Sequence, residues 1–142
     1  MKKLLLIIVC ILILTSCGLF DNGTKKIIGG YSLVYIDLPD VEIWLNYKDI
    51  SILEPCVSEV GFNENFIIAL QHPVIGGTEN INIDISDFYI IPITNKINND
   101  PTYNIIGPLK KDEFLKKRKE LKVPDDLKFT LFPRNPSFWS WF

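Results

Sequence analysis

The sequence predicts a single α+β domain, an antiparallel β-meander of about five to seven strands with one C-terminal amphipathic helix packed on the sheet. Three observations predict it. Short runs rich in Val, Ile, Tyr and Phe recur between turn clusters from residue 31 to residue 106, the pattern of antiparallel strands. Residues 66–70 (FIIAL) are apolar on both faces, so they belong mid-sheet with cover on each side. Residues 111–122 carry the one helical spacing in the chain, and Pro124 stops it.

The chain opens with a leader. Lys2 and Lys3 precede an unbroken apolar run of eleven residues, 4–14. Such a helix is about 16 Å long, against a hydrocarbon core of roughly 30 Å. It is too short to span, and it fits the h-region of a secretory signal peptide. The run ends Leu14-Thr15-Ser16-Cys17-Gly18. That arrangement resembles the lipobox of bacterial lipoproteins: an aliphatic residue, two small residues, then cysteine. The resemblance implies cleavage before Cys17, lipid (palmitate among the acyl groups) on its sulfur and usually acylation of the new amino group. It implies residence in the bacterial cell envelope, facing away from the cytoplasm and on the outer membrane where there is one. Two or more acyl chains hold a protein firmly where one holds it marginally. The competing reading is a buried apolar element with a chance cysteine. The expected organisation is a signal peptide over 1–16, a lipidated cysteine and flexible tether over 17–30, and one globular domain over 31–142.

Losing the 16-residue leader from 142 residues leaves 126, enough for one core and too few for two. Removing Lys2 and Lys3 from the 15 basic residues leaves 13 against 17 acidic ones. That mild acidity argues against a nucleic-acid partner. With Cys10 in the leader and Cys17 lipidated, Cys56 is the one remaining thiol. No intramolecular disulfide can then form, and the fold stands on packing.

In chain order, 18–30 has four glycines and no periodicity and reads as tether. Residues 31–36 form a strand stopped by the turn cluster 37–40. Residues 41–47 alternate, with Val41, Ile43 and Leu45 on one side, and pair back as a hairpin. Residues 50–53 form a short strand closed by Pro55. Residues 57–62 and 66–71 flank Asn63-Glu64-Asn65 as a second hairpin. Residues 80–85 alternate strictly, with Ile81, Ile83 and Ile85 against Asn80, Asn82 and Asp84, and read as a strand with one solvent face. Residues 88–93 resume the apolar pattern, and Pro92 suggests an edge or a bulge. A polar loop covers 96–102, and 103–106 is a strand stopped by Gly107-Pro108. The helix 111–122 sets Phe114, Arg118 and Leu121 on one face with Leu115 beside them. Asp112 and Glu113 suit its dipole. Residues 127–132 return as a last strand.

Several of these residues resemble a known family. Gly61-Phe62-Asn63-Glu64-Asn65-Phe66-Ile67-Ile68-Ala69, then Phe88-Tyr89-Ile90-Ile91, then Gly107-Pro108-Leu109 and Glu113-Phe114 are similar to a family of short bacterial lipoproteins known as a domain of unknown function. The likeness spans about residues 57–123. It implies an envelope location and carries over no functional residue. It also implies a threonine after Gly-Pro-Leu, where this chain has Lys110. A helix N-cap normally worth about 1 kcal/mol is thereby missing.

No set of side chains rises to a catalytic, cofactor or metal motif. Asn80, Asn82 and Asp84 space three oxygen donors like the start of a calcium loop, but Ile85 and Ile91 stand where glycine and glutamate belong. His72 is the only histidine; it is the one base a nucleophilic Cys56 could use, and a surface loop histidine is the plainer reading. The run 116–119 (KKRK) could meet anionic headgroups, or be the solvated side of the helix. Four aromatics, Phe138, Trp139, Trp141 and Phe142, crowd the C-terminus. They suit core or sheet-edge packing, partner contact or insertion at a membrane interface. The reading is a lipid-anchored envelope protein that acts as a non-enzymatic protein-binding or structural module, with an envelope protein as its expected partner. The alternatives are a small hydrolytic or ligand-processing enzyme, or an immunity-type protective lipoprotein.

Overall fold

A computed structural model of the chain describes residues 23–35, 43–74, 81–93 and 104–131. Cys17, the turn cluster 37–40, Asn80, the loop 96–102 and the aromatic tail (Phe138, Trp139, Trp141, Phe142) lie outside the described residues. Described in chain order are strands β1 (Gly23–Lys26), β2 (Tyr31–Tyr35), β3 (Ile43–Tyr47), β4 (Ile50–Leu53), β5 (Val57–Phe62), β6 (Phe66–Gln71), β7 (Asp87–Pro92) and β8 (Ile106–Leu109). Helix α1 (Lys111–Glu120) and the two-residue strand β9 (Thr130–Leu131) follow.

The single meander is corrected: there are two antiparallel sheets. One runs β1-β2-β3-β4; the other runs β8-β7-β6-β5, extended by β9 beside β5. Adjacent strands pair throughout the meander except at one place, between β4 and β5. There the chain passes Glu54-Pro55-Cys56. Pro55 donates no hydrogen bond, and Cys56 takes φ +80°, a backbone that leaves the extended region. The chain steps off one sheet and starts the next.

The first sheet begins earlier than the sequence suggests. Residues 23–26, expected in the tether, are β1, and Thr24, Lys25 and Lys26 stand exposed along this edge. Gly29 and Gly30, at φ +58° and +89°, make the return into β2; positive φ is what glycine supplies cheaply. The β3–β4 hairpin turns on Lys48 and Asp49, both at positive φ, as two-residue hairpin loops require.

The sheets face each other across one core. Tyr31, Leu33, Leu45 and Leu53 of the first meet Val57, Val60, Ile67, Ala69, Tyr89 and Ile91 of the second. The far side of the second sheet is covered by α1 and the segment after it, through Ile68, Ile90, Phe114, Val123 and Leu127. The expected placement of β6 therefore holds: it is the central strand and is buried on both faces. Phe114 stacks on Phe88 at 5.0 Å and on Phe129 at 5.7 Å. Arg118 places its guanidinium over Phe114 and donates through Nη2 to the carbonyls of Pro124 and Leu127 at 2.6 and 2.9 Å. Leu115, expected beside this face, is 46% exposed. At the helix start Glu113 compensates for the absent threonine: its carboxylate accepts the Lys110 N–H at 2.9 Å.

Two more expectations change and a third is narrowed. Residues 81–85 make a turn: Asn82 Oδ1 accepts the Asp84 N–H and the Asn82 carbonyl accepts that of Ile85. Local Asn chemistry wins over alternation there. Pro92 is not on an edge strand, since β8 flanks β7, but it takes an edge position: it closes β7 beyond the last β8 partner, Ile106 opposite Ile90, and is paired with Phe66 on the other side. β8 runs through Gly107-Pro108, joined by a cis peptide, where a stop was expected.

The ends of the two sheets correspond. An added Cβ at Gly29 would lie 3.5 Å from Ile93 Cγ2, so the β1–β2 turn sits at the Ile93 end of the second sheet. At the opposite end the 54–56 step joins Leu53, partner of Leu45, to Val57, partner of Gln71. Gly23, which pairs with Tyr35, thus lies at the end marked by Gln71 and Asp87.

Candidate functional site

One of the two buried polar side chains among the described residues, Gln71, lies at that same end, where the chain changes sheets. Gln71 closes β6 and is 8% exposed. Its amide Nε2 donates to the carbonyls of Glu54 at 2.9 Å and Pro55 at 3.2 Å. Its Oε1 accepts from the Tyr89 hydroxyl at 2.7 Å. Gln71 pairs with Asp87, and Tyr89 lies two residues further along β7, so the two side chains share a face. Burial above all, and the Asp87 carboxylate second, push the Tyr89 hydroxyl above its ordinary pKa.

Around this pair the backbone is clamped. The His72 N–H donates to the Cys56 carbonyl at 3.0 Å. His72 Nδ1 lies 2.9 Å from the Ile85 carbonyl; a carbonyl only accepts, so this nitrogen is the donor. Asp87 accepts from Lys110 Nζ at 2.8 Å. The fold does bring Cys56 and His72 to adjacent positions. Cys56 is 5% exposed, however, and a nucleophile must be reached by its substrate. The arrangement holds the sheet-to-sheet step in shape, and its thiol packs as a small hydrophobe.

The calcium-like spacing is not assembled as ligands. Asn80 lies outside the described residues, and Asn82 spends its Oδ1 on the Asp84 N–H at 3.0 Å. Among the described residues no group of three or more His, Cys, Asp or Glu is placed to hold a metal ion. Among them, too, no helix is long and apolar enough to cross a membrane. Lys116 and Lys119 of the basic run are exposed, Lys117 pairs with Glu120 at 2.7 Å, and Arg118 is turned to the core.

Sequence reasoning passed over Gln71 and Tyr89. The available signal was a lone amide ending an otherwise apolar strand, FIIALQ, with a tyrosine in the next one.

A family model described as "Protein of unknown function (DUF3997)" matches residues 28–133. The chain belongs to this family. The DUF3997 match takes in β2 to β9, including the Gln71 clamp and α1. No curated protein and no solved structure matches the chain.

Proposed function

We propose that this DUF3997 protein is a cell-envelope lipoprotein, held at a membrane by acyl chains on Cys17, whose sandwich is a non-enzymatic protein-binding or structural module. The observation that carries the reading is the leader: two lysines, an eleven-residue apolar run and Leu-Thr-Ser-Cys in order. The fold is compatible with it, because the first described strand begins at Gly23, six residues beyond Cys17. Fully extended, six residues reach at most about 20 Å. The body would therefore be held close to the lipid surface.

Metabolic labelling with an alkynyl palmitate tests this directly. The expected result is label on the full-length chain and none on Cys17→Ser, with a mass that begins at residue 17. An unlabelled chain that retains Met1 overturns the anchor. For the binding role, a pull-down from solubilised envelopes would compare the full chain with one ending at Pro136. An envelope partner lost with the aromatic tail is expected; identical captures remove that motive.

A further inference from the structure

At the end of the sandwich where Gly23 enters, the described parts of the β6–β7 connection, residues 72–74 and 81–86, turn aliphatic side chains outward. Ile83 is 73% exposed, Val74 40% and Ile85 38%. These are not loose residues. Val74 bridges Ile81, the Asn82 N–H donates to the Pro73 carbonyl at 3.1 Å, and Asn82 Oδ1 shapes the turn that holds Ile83 out. His72 Nδ1 ties the base of the loop to the Ile85 carbonyl. Keeping large aliphatics in water on a hydrogen-bonded turn is unfavourable, and three of the six exposed large hydrophobics among the described residues fall within this one connection, which makes it a candidate contact surface.

Its position says which contact. β3 packs against β5, which sets β1 and β2 over β6 and β7, in line with the approach of the β1–β2 turn at Gly29 to Ile93 just after β7. The β6–β7 connection and Gly23 are therefore on the same end and the same side. We propose that Val74, Ile83 and Ile85 are a second membrane contact, seated on the bilayer surface beside the Cys17 anchor and orienting the sandwich. This rests on the lipoprotein reading above. The short reach from Cys17 to Gly23, at most about 20 Å, brings this end of the body to the bilayer. Aliphatic side chains enter the headgroup–acyl boundary to about 5–10 Å. Asp84 between the isoleucines limits the contact to that depth, since charge in the hydrocarbon is costly.

The test uses the full-length chain purified from membranes, with its mass recorded first. Ile83→Cys and, at the far end of the sandwich in the β5–β6 turn, Glu64→Cys are labelled with an environment-sensitive fluorophore. The unsubstituted chain is the blank for buried Cys56. Each is reconstituted in phosphatidylethanolamine/phosphatidylglycerol vesicles with and without nitroxide-labelled lipid. The expected result is a blue shift at residue 83 and quenching there severalfold stronger than at residue 64. A Val74→Cys label repeats the measurement should Ile83→Cys fold poorly. Equal quenching at the two ends, with acylated Cys17, overturns the contact and leaves the anchor standing. Shielding of residue 83 in native membranes but not in pure lipid assigns the patch to a protein partner and also overturns it. An unacylated Cys17 sinks both readings together, and the mass shows which has occurred.

Discussion

In β6, Ile67, Ile68 and Ala69 are consecutive and have no exposure at all, whereas in β3 the buried Leu45 and Tyr47 alternate with half-buried Trp44 and Asn46. Among the described residues, one strand has a layer on each side and the other has a layer on one. The second sheet is thus the structural centre, pressed between the first sheet and the helix layer. The first sheet keeps an outer face of Thr24, Lys26, Ser32, Trp44 and Asn46. Truncation in the doubly covered strand should cost most. Ile68→Ala is expected to lose about 2–5 kcal/mol, and Ile50→Ala, at a 54% exposed site, less than about 0.5 kcal/mol. Chemical denaturation of both variants measures the contrast; equal losses would mean the helix layer contributes little cover.

Gly61 isolates that layer from the other side. A Cβ there would stand 2.3 Å from the Lys128 carbonyl oxygen, because the segment after α1 crosses β5 in contact with its backbone. Gly61→Ala forces backbone to move rather than a flexible side-chain tip. The expected loss is about 1–3 kcal/mol, together with faster amide exchange over residues 127–131. An unchanged exchange pattern would show that the segment yields without detaching.

This comparison also explains what could be read beforehand. In the first sheet the outer face is the more polar one, so alternation in 41–47 announces a strand, and the turn cluster 37–40 before it announces a hairpin with 31–36. In the second, an apolar run announces depth, and β6 was placed correctly by that alone. What escaped was the division into two sheets. A meander read from neighbouring strands has no way to register that Pro55 and a positive φ at Cys56 break one pairing, since φ is not written in residue type. The turn at Asn82 was misread for a related reason: its side-chain hydrogen bond competes with a strand pattern that residues 80–85 also satisfy. Gln71 looked like a strand end because its partners are two backbone carbonyls 16 and 17 residues away.

The clamp at that division gives a smaller, pH-dependent effect. Tyr89→Phe removes one hydrogen bond to a buried amide, for about 0.5–1.5 kcal/mol near neutral pH. Burial and Asp87 raise the folded-state pKa of Tyr89, and burial with help from Tyr47 raises that of Tyr31. Above pH 10 the unfolded chain loses these protons before the folded one does. Stability is then fully present below pH 10 and falls as pH rises toward the folded values. Denaturation midpoints from pH 8 to 11 should decline more gently for Tyr89→Phe than for the parent chain. Parallel declines would place the alkaline loss elsewhere.

The smallest effect is expected on the outer face of the first sheet, where it reverses sign. Asn46 Oδ1 is buried with no hydrogen-bond partner among the described residues, between Ser32 on β2 and Ser51 on β4. An unsatisfied buried acceptor already bears its desolvation cost, so removing it takes away a liability rather than a bond. Valine also suits a strand better than asparagine. Asn46→Val should leave stability within about 0.5 kcal/mol of the parent, on the favourable side, whereas removing Gln71's satisfied amide on the other sheet should destabilise. A measurable loss at Asn46 would mean that its amide is bonded within the folded chain in solution, and that the outer face of the first sheet carries a polar contact of its own.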